Sequence, residues 1–436
     1  MKRFPPFRSA LLAAAIAATF LAASSPSRAD WTEFRGPGRD GFVTTEGDLP
    51  TTWSEEKNIL WKTEIPGKGW STPAILGGQT WLTWATEDGH QMSMLCLDTK
   101  TGKVLHDQVL ITSDNPEPLA NPVNTYASSS PVIEEGRVYL HFGSYGTFCV
   151  DTKTFAVLWQ RRDLTASHWR GPASSPVLWN DKLILTFEGA DQQYHVGLDK
   201  LTGKTLWRRD RSTNFDDVDP KTGRPANSGD MRKAYSTPIF VDIGGTTQMI
   251  SSGAKACWAY DPNTGEELWS IHYPTHSPSS RPVYSKELGL IYINTGLGKA
   301  EVWAVRADAD ARGEIRESHV VWTQLKRSPK RASPVLVGDL LFWANDGVAT
   351  CVDAKTGEPL WQERAGGEFS ASLLSDGKNV YFFDEDGLCT VVKASRTWDV
   401  VAENHLDSGC MASPAATDGS LFVRTRTHLY RIGSAK

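Results

Sequence analysis

Five short stretches of the 436-residue sequence repeat one pattern: Asp98-Thr-Lys-Thr101-Gly102, Asp199-Lys-Leu-Thr202-Gly203, Asp261-Pro-Asn-Thr264-Gly265, Asp353-Ala-Lys-Thr356-Gly357, and Asp151-Thr-Lys-Thr154-Phe155, which lacks the Gly. Each follows an alternating apolar stretch and precedes a Leu-Trp pair or a worn version of one. Asp and Thr side chains can hold a tight bend, and Gly takes a positive φ without strain, so the pattern predicts a hairpin turn between two strands. Length alone would allow about three domains of ~150 residues. A recurring hairpin replaces that count with a repeat architecture.

Two further landmarks fix the repeat. The strand after each turn ends in a large apolar pair: Leu158-Trp159, Leu206-Trp207, Leu268-Trp269, Val321-Trp322 and Leu360-Trp361, with Leu105-His106 and Val400-Val401 as worn copies. Leu60-Trp61 is an eighth copy with no hairpin before it. A Ser/Thr-Pro opens most units, at Thr72-Pro73, Ser130-Pro131, Ser175-Pro176, Thr237-Pro238, Ser333-Pro334 and Ser413-Pro414; Arg281-Pro282 and Ser370-Ala-Ser372 fill the other two slots. Pro suits the first residue of a strand, where no ladder donor is lost. Eight starts and eight ends are thus present but out of phase, since Trp61 precedes Pro73 and the last start, Pro414, is followed by only two apolar stretches. Ring closure accounts for the offset, with residues 58–65 supplying the outer strand of the blade whose other strands are C-terminal. The expected fold is all-β: one eight-bladed β-propeller of four-stranded blades over 58–433, closed by an N-terminal strand, with 30–57 as an N-terminal extension.

Residues 1–29 have the layout of a secretory signal peptide: Lys2, Arg3 and Arg8, then the small apolar run Ala10–Ala23, then small residues around Arg28, with cleavage expected near Ala29/Asp30. The expected location is periplasmic or secreted, with no membrane span. Removing the leader leaves 42 Lys+Arg against 51 Asp+Glu, net −9, which argues against nucleic acid as a partner. The six Cys form no CxxC and no adjacent pair, so neither a zinc ribbon nor a thioredoxin-type site is expected; Cys96, Cys149 and Cys351 each precede a turn Asp by two residues, as buried small hydrophobes would.

The apolar strand, Asp-x-x-Thr-Gly and Leu-Trp unit resembles the pyrroloquinoline-quinone-like (PQQ-like) propeller repeat over essentially all of 58–433. The opening Asp30-Trp-Thr-Glu-Phe-Arg-Gly-Pro-Gly-Arg-Asp-Gly41, and the stretch from Ala304 to Thr323, are similar to envelope propellers of planctomycete type. The resemblance implies one of two functions. One is a non-enzymatic scaffold like the outer-membrane assembly factor BamB, with no cofactor and an envelope protein or peptide as partner to a monomer. The other is a PQQ-dependent periplasmic dehydrogenase of alcohols or sugars, which would hold the quinone with Ca²⁺. Many such dehydrogenases clamp the quinone under two adjacent disulfide-linked Cys, which this sequence lacks, and no Ca²⁺ ligand set can be matched.

Loops preceding the Ser/Thr-Pro starts converge on one face of a propeller. They carry Trp70, Tyr126, His168, Trp169, Arg170, Lys233, Tyr235, Arg281, Lys330, Arg331 and Phe369. Aromatic and basic side chains around a channel mouth would suit an anionic or peptide-like ligand, or a glycan stacked on Trp169. Two of these loops, Ile111–Ser129 and Thr213–Ala234, are long, as binding loops often are. No catalytic or metal residues are assigned. Gly36-Pro-Gly38-Arg-Asp-Gly41 matches a dinucleotide fingerprint by letter only, with no strand before it and no helix after.

Overall fold

In the computed structural model, which describes Met1, residues 30–44 and residues 48–434, the repeated turn forms as its chemistry predicts. The Asp98 carboxylate accepts the Thr101 backbone N–H and hydroxyl, both at 2.7 Å, while the Gly102 N–H closes on the Asp98 carbonyl at 2.8 Å. Asp151, Asp199 and Asp353 repeat the arrangement with Thr154, Thr202 and Thr356. The same turn also closes in the long loop at Asp219, whose carbonyl accepts the Gly223 N–H at 2.8 Å. The motif therefore encodes a bend and becomes a blade only where alternating strands flank it. The signal-peptide assignment lies outside the described residues.

Eight antiparallel sheets follow in chain order, each beginning with a short inner strand. Blade 1 runs from Ala74–Leu76 to Val104–Thr112, blade 2 from Val132–Glu134 to Val157–Arg161, and blade 3 from Val177–Trp179 to Thr205–Asp210. Blades 4 to 7 begin at Ile239–Ile243, Val283–Ser285, Val335–Val337 and Leu374–Ser375. Blade 8 takes Ala415–Thr417, Ser420–Arg424 and His428–Ile432 from the C-terminus and Ile59–Glu64 as its outer strand, paired Ile59 to Ile432 and Glu64 to His428. The ring closes as the phase of the repeat requires. One addition was not foreseen: Gly313–Glu314, from a connection in blade 5, pairs in parallel with Glu267–His272 and gives blade 4 a fifth strand. No helix among the described residues is long and apolar enough to cross a membrane.

Burial is organised as seams between blades. Eight apolar clusters are present among the described residues, one at each junction, and all six Cys are buried and unpaired. Four of the seams are fastened at the rim by the two halves of the repeat acting across blades. The indole N–H of Trp61 donates to Thr99 of the next blade at 3.1 Å, Trp159 to Lys200 at 3.0 Å, Trp322 to Ala354 and Trp361 to Ser395 at 3.1 Å, each at a backbone carbonyl. The ring of each docked Trp lies against the next turn's Gly where one is present. A Cβ on Gly102, Gly203 or Gly357 would approach Trp61, Trp159 or Trp322 to 2.5, 2.7 or 2.6 Å.

The worn copies compensate each other. Blade 1 carries His106 in the Trp position, and the next turn carries Phe155 in the Gly position; the two rings stack at 4.4 Å and 6°. His106→Trp should overpack against Phe155 and cost about 1–3 kcal/mol. Adding Phe155→Gly should restore the common pairing, with a favourable coupling of about 1–3 kcal/mol in a double-mutant cycle of urea unfolding. Strict additivity would show that the two positions do not meet across the seam.

Candidate functional site

The Ser and Thr residues that open the units build the throat of the channel. Each backbone N–H donates to the hydroxyl one blade on: Thr72 to Ser130 at 2.9 Å, Ser130 to Ser175 at 2.9 Å, and Ser175 to Thr237 at 3.0 Å. On the far side Arg281 donates to Ser333 at 2.9 Å, Ser333 to Ser372 at 3.0 Å, and Ser372 to Ser413 at 2.9 Å. The preceding residues form a second tier, in which the Ser129, Ser236 and Ser280 hydroxyls donate to the carbonyls of Ser174, Ser280 and Ala332. Sequence reading took these residues as strand starts and missed that they tie blade to blade. Having accepted an N–H, the Ser130, Ser175, Thr237 and Ser413 hydroxyls donate to no group among the described residues and keep their own hydrogen for a ligand.

Above the ring lies a cavity of about 470 Å³, open to the loop-rich face and floored by Phe34. Of the eleven rim candidates, Trp70, Arg170, Tyr235, Lys330 and Arg331 line it. Asn121, Asn124 and His276, which sequence reading passed over, complete the wall with the ring hydroxyls and Met411. The long loop 111–129 contributes Asn121 and Asn124, and the loop 213–234 contributes Asp230, so both long loops shape the site.

The other six candidates lie off the cavity wall. Arg281 occupies the ring position of blade 5, where no hydroxyl is available, and its fully buried side chain turns down to the carbonyls of Phe34 at 2.5 Å and Pro238 at 2.8 Å. Phe369 is buried in the seam of blades 6 and 7, its ring 6.4 Å from Phe382. Tyr126 packs on Tyr145 and donates its hydroxyl to the Glu117 carbonyl at 2.9 Å. Trp169 is packed against cations, with Lys233 Nζ 2.9 Å and the Arg170 guanidinium 4.7 Å from its ring centroid. Lys233 is itself fully buried, and burial, against the pull of Asp230, lowers it to about 8.

Nor do the basic side chains on the wall present free charge. Arg170 forks onto Asp230 at 2.7 and 2.9 Å, Lys330 pairs with Asp346, and Arg331 reaches Glu368 at 3.2 Å and Glu385 at 3.0 Å. Burial would raise the Asp230 carboxyl, but Arg170 and Lys233 outweigh it and hold it below the ordinary carboxylate value. The Asn124 amide is likewise taken, donating to the Gly171 carbonyl at 2.8 Å and accepting the Thr125 N–H at 2.8 Å, so the wall offers hydroxyl donors, the Asn121 amide and apolar surface more than net charge.

His168 sits behind this wall. Its Nε2 is 3.3 Å from the Ala234 carbonyl and its Nδ1 has no partner among the described residues. With His141 and Glu188 it lines a small cavity of about 30 Å³, room for about one water. Burial holds both His168 and His141 down to about 4. In the unfolded chain each takes a proton near pH 6.5, so each withdraws stability as pH falls from 6.5 towards 4, by about 1.4 kcal/mol per pH unit. Urea midpoints measured across that window should fall in the wild type and fall less steeply in His141→Gln; parallel slopes would contradict a neutral buried His141.

The profile of the PQQ_2 family, described as outer membrane protein assembly factor BamB, matches residues 32–190, 112–241 and 259–432. These segments cover most of the chain. The protein belongs to this family. Among solved structures it is similar to BamB from Moraxella catarrhalis, at 11% identity and a TM-score of 0.57 over 86% of this chain and 99% of that one. It is also similar to the quinohemoprotein alcohol dehydrogenase from Comamonas testosteroni, at 12% identity and a TM-score of 0.53 over 93% of this chain and 81% of that one. A europium-containing methanol dehydrogenase gives 12% identity and 0.55 over 91% and 89%. No curated protein matches the chain. At such identities the structural likeness carries the fold of the PQQ_2 propeller and no more.

Proposed function

We propose that this PQQ_2-family protein is a non-enzymatic binding propeller of the cell envelope, which seats a peptide segment of a protein partner in the channel mouth. The observation that carries this reading is the chemistry of the 470 Å³ cavity: hydroxyl donors left free by the throat ring, the Asn121 side-chain amide, and apolar faces from Trp70 and Phe34, with the basic side chains and the Asn124 amide already paired. Such a wall suits a polypeptide, whose carbonyls accept and whose side chains need apolar contact. The family description and the likeness to BamB support an envelope setting and a protein partner.

The donor set fits a Ca²⁺-held quinone poorly. Asp230 is the one carboxylate residue on the wall among the described residues, and it is taken by Arg170 and Lys233. Among the same residues no three His, Cys, Asp or Glu side chains converge as metal ligands. Titrating the purified protein with PQQ and Ca²⁺, while following dye-linked oxidation of alcohols and sugars, should give neither saturable binding nor turnover. Saturable binding with turnover would replace the scaffold reading by the dehydrogenase one.

A further inference from the structure

Residues 31–43 fill the end of the channel opposite the mouth, and they are held there as a ligand is held. Inner strands run from the throat ring towards this end, and each presents an unpaired edge to the channel. Trp31 exchanges two backbone bonds with Ile75 of blade 1, at 3.0 and 2.7 Å, and the Thr32 carbonyl accepts Ile133 of blade 2 at 2.9 Å. Across the channel, Val43 donates to Ser375 of blade 7 at 2.8 Å and Ser375 donates to Gly41 at 3.0 Å.

Side chains span the remaining blades. Arg39 reaches the Leu178 carbonyl of blade 3 at 2.9 Å, and its guanidinium lies 4.9 Å over Phe240 of blade 4. Glu33 is held between Arg39 at 2.9 Å and Arg281 of blade 5 at 3.3 Å. Arg35, 1% exposed, donates to the carbonyls of Ser333 at 3.3 Å and Leu373 at 3.2 Å and to that of Pro334. Gly41 has φ +78, and a Cβ there would lie 2.6 Å from the Leu373 carbonyl. One short segment thus contacts blades 1 to 7.

We propose that the lower channel is a peptide-binding site specific for the sequence Trp-Thr-Glu-Phe-Arg-Gly-Pro-Gly-Arg-Asp-Gly, filled by residues 31–41 in cis and able to take the same sequence in trans. Single backbone bridges at its two ends, Trp31 to Ile75 and Phe42 to Ser375, anchor a segment that is otherwise folded in turns, and buried Arg35, Glu33 and Trp31 supply selectivity. The site is distinct from the mouth, although Phe34 of the bound segment forms the mouth's floor. It does not depend on what the mouth binds.

The test uses the mature chain with a protease recognition sequence inserted between Thr44 and Asp48 and cut after folding. The released segment should stay bound through gel filtration. A labelled synthetic peptide of residues 30–44 should then replace it saturably, and the same peptide with Arg35→Ala should bind about 10- to 100-fold more weakly. No incorporation of the peptide, or equal binding of both peptides, would overturn the proposal. A chain beginning at Asp48 gives a second reading: refolding it with the peptide should raise its recovery or its Tm, and no change in either would count against a site that works in trans.

Discussion

Replacing Arg281 by Met should lower the stability of the ring by about 3–5 kcal/mol, read as a fall in the urea midpoint. The guanidinium is completely buried and bonds three groups at once: the Phe34 carbonyl at 2.5 Å, the Pro238 carbonyl at 2.8 Å and Glu33 at 3.3 Å. Burial lowers its pKa to about 10, with Glu33 pulling the other way, so it stays charged at neutral pH. Met can fill much of the volume, but it leaves Glu33 buried with Arg39 alone and strands two carbonyls without donors. Arg281→Lys should recover only part of the loss, because one ammonium on a flexible stem cannot serve three acceptors in a fork. A cost below about 1 kcal/mol for the Met variant would mean that the lower channel relaxes around the change, and that Arg281 does not pin the N-terminal segment.

Gly357→Val should be of similar size, about 3–5 kcal/mol, for a different reason. The backbone there has φ +75, which a β-branched residue adopts only under strain, and its Cβ would meet the docked Trp322 ring at 2.6 Å. Gly338→Val separates the two causes. Gly338 has φ +59 with nothing within 4 Å of a Cβ, so that substitution pays for strain alone, at about 1–3 kcal/mol. Equal losses at the two positions in thermal or urea unfolding would remove the inter-blade contact from the account and leave only turn strain.

These two residues also mark what could be read from the sequence and what could not. The turn at Asp353–Gly357 is local chemistry: carboxylate, hydroxyl and positive φ lie within five residues, and the Trp that completes it recurs in most units. Counting those landmarks and their phase was enough to give eight blades and the closure through Ile59–Glu64. Arg281 was legible as a member of the series Thr72, Ser130, Ser175, but not as the one that turns inward. Its partners, Glu33 and Phe34, are 248 and 247 residues away. The plug was hidden for the same reason, since many of its contacts are with backbone carbonyls and amides that any sequence supplies. Position before a Ser-Pro start told the height of Phe369 and Trp169 along the channel axis but not their rotation. Phe369 turned into a seam, and Trp169 packed against Lys233 and Arg170. The fifth strand of blade 4 comes from two residues, Gly313–Glu314, too few for a periodic signal.

The central claim is that the mouth receives a segment of a protein partner. It is tested most directly by placing a photo-crosslinking amino acid at Trp70 or Tyr235 in the mouth and at Lys100 or Asp418 away from it, then irradiating cells that express the tagged chain. The account predicts one discrete crosslinked protein from the mouth positions, lost when Asn121 and Ser175 are both replaced by Ala, and none from Lys100 or Asp418. Equal crosslinking from all four positions, or a mouth product indifferent to Asn121 and Ser175, would contradict it.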